Sequence, residues 1–162
     1  MDENVRIVYN NQNAYFSFAH ISLVCRLIDE SFPDYEAIIP KNNKYELIVD
    51  RLELLNSLKR IAIYSNEATR QVKFDITGSL LKLFGEDIDF SSEANEQMNC
   101  TYTGKDMEIV FNARFLIEML AHLETRDIVL KLSNPEKAGI LRQVDPEEAD
   151  KEDIYMLVMP VT

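Results

Sequence analysis

The sequence predicts an α+β fold, built of two successive β-α-β-β-β units with both helices on one face of antiparallel sheet. Two observations predict it. Short alternating segments flank a capped helical stripe, and near residue 107 the same order of segments begins again. Identity between the halves is slight, so the repeat is one of pattern rather than of residues.

The elements follow in order. VRIVYNNQNAYFSFAHISLVCRLI reads as a β-hairpin, two apolar-rich runs joined across the turn-forming NNQN. SFPDYEAIIPKNN, with two prolines and a terminal Asn pair, reads as a connector. YELIVD is a short strand, and RLELLNSLKRIA is a helix opened by a D-x-x-E capping box, Asp50 with Glu53. Leu54, Leu55, Leu58, Ile61 and Ala62 fall on one helical face, with Asn56, Lys59 and Arg60 opposite. QVKFDIT, SLLKLF and EQMNCTYT are three strands. Val72, Phe74 and Ile76 point inward from the first, and Met98, Cys100 and Tyr102 share one side of the third. MEIVF then restarts the pattern. Asn112 caps ARFLIEMLAHL, whose stripe is Leu116, Met119, Leu120 and Leu123 and whose outer face carries Arg114, Glu118 and His122. DIVLKLS, AGILRQV and DIYMLVMPV are the last three strands.

Composition narrows the functional classes. The 162 residues suffice for one compact domain and a piece of a second, with no need of covalent staples. Cys25 and Cys100 have no CxxC spacing, which points to a reducing compartment. MDENVRIVYNN lacks the apolar core of a secretory signal, and no apolar run approaches the roughly 18–20 residues of a membrane span. A cytoplasmic protein is expected. Seventeen basic against 28 acidic residues, a formal charge of −11, argue against indiscriminate nucleic-acid binding. A local basic face is still compatible with an acidic total: Lys59, Arg60 and Asn56 form a small basic-polar helix face, with Arg51, Arg70 and Lys73 near in sequence, for which an ordinary solvated face is the plainer reading.

No catalytic motif stands out. Glu86, Asp87 and Asp89 in GEDIDF suggest a divalent-metal site, against the plainer reading of a solvated turn or strand end. DPEEADKED, residues 145–153, is acidic but lacks the glycine and terminal glutamate of a calcium loop. His20 and His122 have no metal-ligand spacing, and Cys100 reads as core. There is no GxSxG, phosphate loop or dinucleotide fingerprint. The C-terminal DIYMLVMPVT is the anomaly. Ile154, Met156 and Val158 face one side and Tyr155, Leu157 and Met159 the other, yet neither side is polar. Either the fold covers both faces, or one is kept for a partner.

RLIDESFPDYEAIIP, SNEATR after the first helix, FNARFLIEMLAHL and the terminal YMLVMPV together resemble the beta subunit of bacterial DNA polymerase III, the sliding clamp. The order of these blocks runs through nearly the whole chain. The resemblance implies three similar domains in the full protein, closing as a head-to-tail dimer around duplex DNA. Residues 1–33 then correspond to the last β-hairpin of the second domain plus linker, and residues 34–162 to the third domain. Without the rest, the chain is not expected to encircle DNA alone.

The roles of individual residues are likewise implied by the resemblance. Lys59, Arg60, Arg70 and Arg114 would face DNA, holding its backbone without base readout. Pro33, Ala37, Ile38, Leu157, Val158, Met159, Pro160 and Val161 would belong to a hydrophobic groove for short peptides of the polymerase alpha subunit, the clamp loader and repair proteins. Ala37 departs from the pattern, since relatives often carry a long basic side chain there. Ile63, Tyr64, Glu93 and Glu96 would meet the neighbouring subunit of the ring. No cofactor or metal is implied, and the protein would be a non-catalytic processivity factor. Two rival readings are a small metal-dependent hydrolase or nuclease using Glu86, Asp87 and Asp89, and a generic peptide-binding module.

Overall fold

A computed structural model of the chain describes residues 4–144 and 154–161. The acidic segment 145–153 lies outside the described residues. The chain divides into two compact units, Met1–Ile38 and Ile39–Thr162.

The first unit is a three-stranded antiparallel meander, β1 (Arg6–Tyr9), β2 (Asn13–Phe18) and β3 (Ile21–Arg26), followed by the single helical turn α1 (Tyr35–Ile38). Asn10 closes the first turn as expected, its Oδ1 accepting from the Gln12 and Asn13 N–H groups at 2.9 and 2.8 Å. The sequence reading of a single hairpin misses the second turn. Ala19 and His20 join β2 to β3, with Ala19 at φ 48°, and neither glycine nor asparagine marks the place. His20 is thus an exposed turn residue. Cross-strand register puts Ile7, Phe16 and Leu23 in one row and Tyr9, Ala14 and Cys25 in another. One face of this sheet is therefore wholly apolar.

The second unit runs β4 (Tyr45–Asp50), α2 (Arg51–Ile61), β5 (Gln71–Thr77), β6 (Leu80–Asp87), β7 (Ser92–Asn99) and β8 (Thr101–Tyr102). It continues β9 (Met107–Asn112), α3 (Ala113–Ala121), β10 (Asp127–Leu132), β11 (Gly139–Gln143) and β12 (Tyr155–Val158). The repeat is present, but the sheets cut across it. One sheet has the order β12-β11-β10-β4-β8, the other β7-β6-β5-β9. The opening strand of each repeat is thus lent to the other repeat's sheet: β4 pairs with β10, and β9 with β5.

Both helices start where the sequence predicts. Asp50 Oδ1 accepts the Glu53 N–H at 2.9 Å, and Asn112 Oδ1 accepts the Arg114 N–H at 3.0 Å. The helices pack against each other and bury their stripes, Leu54, Leu58 and Ile61 on α2 and Leu116 and Leu120 on α3. The core joins these to inward residues of both sheets, among them Phe74 and Phe111, which meet edge-to-face at 5.3 Å between ring centres. Gly85 is required for this packing, because a Cβ there would stand 2.7 Å from Ile61 Cγ2 and 3.0 Å from the Ile61 carbonyl oxygen.

In the second unit two strands differ from expectation. DIYMLVMPV ends as a strand at Val158, and its Pro160 bridges β9 of the other sheet. EQMNCTYT is not continuous: β7 ends at Asn99 on β6, and β8 pairs with β4 in the other sheet. The break at Cys100 is where the chain changes sheets, and the Cys100 N–H donates to the Ser79 carbonyl at 2.9 Å. Cys100 is half-buried, and that burial raises its thiol pKa, which disfavours the nucleophilic thiolate.

Candidate functional site

Four cations stand out in the sequence. Lys59 and Arg60 occupy the last turn of α2, where positive charge complements the helix dipole. Arg114 sits in the first turn of α3, where the dipole opposes it, so helix stability gives no reason for a cation at that position. Arg70 has φ 48° and ends the loop after α2; its carbonyl accepts the Ala113 N–H at 2.8 Å, which ties its backbone to the start of α3. Lys59 and Arg114 are exposed and have no carboxylate within ion-pair distance among the described residues. Arg60 differs. Its Nε donates to Glu96 Oε1 at 2.6 Å and its Nη2 to Glu96 Oε2 at 2.5 Å, while Nη2 also reaches Ser57 Oγ at 3.1 Å. Donation from Arg60, aided by Ser57 and opposed by partial burial, holds the Glu96 carboxyl below its usual pKa.

Glu96 therefore faces α2 from β7, an edge strand of its sheet. Glu93 lies three positions away and on the opposite face, directly across from Glu86. Ile63 is 77% and Tyr64 43% exposed just beyond α2, an apolar pair left standing in solvent.

In the first unit Pro33, Ala37 and Ile38 are all exposed around α1. In the second, the apolar C-terminal segment divides by face. Val158 is buried and Ile154 and Met156 pack on the core, whereas Tyr155 is exposed and its ring lies 4.1 Å from the Arg142 guanidinium carbon. Leu157 is partly exposed and Met159 is 60% exposed. Beyond β12 the backbone turns to the other sheet: Pro160 bridges Phe111, and the Val161 N–H donates to the Val110 carbonyl at 2.8 Å. Pro160 lacks a donor and so suits this edge position.

The acidic trio does not converge. Asp87 is buried and its Oδ1 accepts the Asp89 and Phe90 N–H groups at 3.0 and 3.3 Å, capping the β6–β7 turn. Asp89 Oδ2 accepts from Asn66 Nδ2 at 3.3 Å, and Glu86 stands on the outer sheet face. Among the described residues no three His, Cys, Asp or Glu side chains are placed to share a metal ion. The outer face also holds a hollow of about 550 Å³ that sequence reasoning missed, lined by Lys73, Phe84, Glu86, Glu93 and Val110 among others. Lys73 Nζ lies 5.0 Å above the Phe84 ring. An aromatic residue at a solvent-side position of β6 was its only signal in the sequence.

Comparison with known proteins matches residues 36–161 to the family described as the DNA polymerase III beta subunit, C-terminal domain. The beta sliding clamp of Pseudomonas aeruginosa is 29% identical over 160 residues, covering 99% of this chain and 42% of its own length. That of Escherichia coli is 28% identical, with the same coverage. Among solved structures, the DnaN sliding clamp of Bartonella birtlesii bound to griselimycin superposes with a TM-score of 0.87 at 30% identity, covering 98% of this chain and 41% of that one. The chain thus spans about 42% of the length of the curated relatives it matches.

Proposed function

Since this chain belongs to the family formed by the C-terminal domain of the DNA polymerase III beta subunit, we infer that it is part of a replicative sliding clamp. Residues 1–33 are the end of a second clamp domain and 34–162 the third. In the complete protein, such domains close into a dimeric ring around duplex DNA in the cytoplasm. The role is mechanical rather than catalytic: a topological tether raises the polymerase's effective concentration at the primer end. The observation that carries this reading is the family match, which runs through the second unit to Val161.

Lys59 and Arg114 support a DNA-facing role, because both are exposed without a carboxylate partner among the described residues and Arg114 opposes its own helix dipole. Few cations mean weak, salt-sensitive backbone contact, which suits a ring that slides. Arg70 belongs with them through its link to α3. Ile63 and Tyr64 would form the apolar centre of the ring contact, with Glu93 and Glu96 along the β7 edge. Leu157 to Val161 would form the docking surface for peptides of the polymerase alpha subunit and clamp loader. Met159 is suited to this role, because its flexible thioether adapts to different anchors. Pro33, Ala37 and Ile38 are proposed as peptide-contacting residues on the family resemblance alone.

The test is an NMR titration of the labelled chain with a QLxLF-type peptide. Shifts clustered at Leu157–Val161, abolished by Met159→Ala, support docking, and shifts at Pro33–Ile38 test the first unit separately. Shifts centred away from these residues, or none at high peptide concentration, would count against this docking surface.

A further inference from the structure

The three exposed cations of the helix ends are not equivalent. Lys59 and Arg114 stand without a carboxylate partner among the described residues, but Arg60 is folded back onto β7. Two of its donors engage both oxygens of Glu96, and one of them also reaches Ser57 on its own helix. A guanidinium engaged by a carboxylate fork presents the geometry and charge balance of an occupied site, since the same fork is what would grip a phosphate. Glu96 is itself on an edge strand, with no further strand beside it among the described residues. Its side chain is 26% exposed, so the carboxylate is reachable from outside.

We propose that Glu96 is a positioning residue that withholds Arg60 from the DNA backbone, so that neutralising Glu96 at the β7 edge turns Arg60 into a phosphate-binding group. This deepens the DNA-facing reading above and rests on it. The edge of the sheet and the helix face are thereby coupled through one ion pair: what happens to Glu96 decides how many cations the helix face offers.

The experiment is fluorescence anisotropy of a labelled duplex against the wild-type chain, Glu96→Gln, Arg60→Gln and the double variant, over a salt series. Glu93→Gln is the control, because Glu93 is on the same strand but faces away and pairs with no cation among the described residues. The expected result is roughly fivefold tighter binding for Glu96→Gln at low salt, with a salt slope steeper by about 0.9, the increment of one added phosphate contact. That gain should disappear in the Arg60→Gln background and exceed the gain from Glu93→Gln. A gain that survives Arg60→Gln, or one equal to that of Glu93→Gln, overturns the proposal and leaves only the loss of a negative charge. Absence of DNA binding by every variant removes the DNA-facing reading and this inference together. Binding that depends on Lys59 and Arg114 but ignores Glu96 removes this inference alone.

Discussion

Pro160 bridges Phe111, so the end of the described chain is fastened to β9 although β12 belongs to the other sheet. Phe111 is fully buried and also holds Phe74 edge-to-face at 5.3 Å. The residue therefore serves the core through its ring and seats the C-terminal segment through its backbone. Phe111→Ala is expected to cost about 3–5 kcal/mol in urea denaturation, the range for a deleted buried aromatic. Amide exchange at Val161 should speed up beyond what the global loss explains, because its acceptor is the neighbouring Val110 carbonyl.

Gly85→Ala tests the contact between α2 and β6. The added methyl would meet a side-chain atom and a carbonyl oxygen of Ile61, and the carbonyl cannot rotate away. A loss of about 1–3 kcal/mol is expected from this overpacking. Ile61→Val in the same chain should recover little of it, since it removes only Cδ1 and leaves both the clashing Cγ2 and the carbonyl in place.

The pair between Arg60 and Glu96 sets a pH dependence. Glu96 has a lowered carboxyl pKa, chiefly through donation from Arg60. Such a group contributes stability that is present above the unfolded carboxylate pKa, ~4.3, and is lost as pH falls through the lowered value. The stability gap between wild type and Glu96→Gln should therefore be flat from neutral pH down to about 5 and close on further acidification. Denaturant titrations at a series of pH values read this directly. High salt should narrow the gap at neutral pH, because Arg60 is largely solvent-exposed.

Arg114→Ala separates binding from folding. A cation in the first turn of α3 is disfavoured by the dipole, so its removal should leave stability unchanged or raise it by about 0.3–1 kcal/mol. Duplex affinity should fall, with a salt slope shallower by about 1. Lys59→Ala should lower affinity similarly while removing a favourable last-turn charge from α2. A loss of affinity that tracks the loss of stability would count against a DNA-facing role.

Much of this was legible from local pattern. The two helices, their caps at Asp50 and Asn112, the inward set Val72, Phe74 and Ile76, and the turn at GEDIDF all follow from spacing and capping chemistry. What was hidden depends on partners distant in sequence. EQMNCTYT alternates without interruption, so nothing local tells that Cys100 is where the chain leaves one sheet for the other. The third strand of the first unit was missed because Ala19 takes a left-handed turn conformation that alanine does not advertise. The proposed site residues Arg60 and Glu96 could each be named, but their pairing joins two elements that no periodicity relates.

The exchange of opening strands has a consequence for assembly of the fold itself. β4 cannot complete its ladder until β10 has been made, and β5 has only one of its two neighbours until β9 arrives. Neither repeat is therefore a foldon, and a polypeptide ending at residue 106 would expose two unpaired strand edges rather than a half-sized domain. Loop closure across so much chain must precede the stabilising contacts, which favours slow, single-step folding over stepwise accretion.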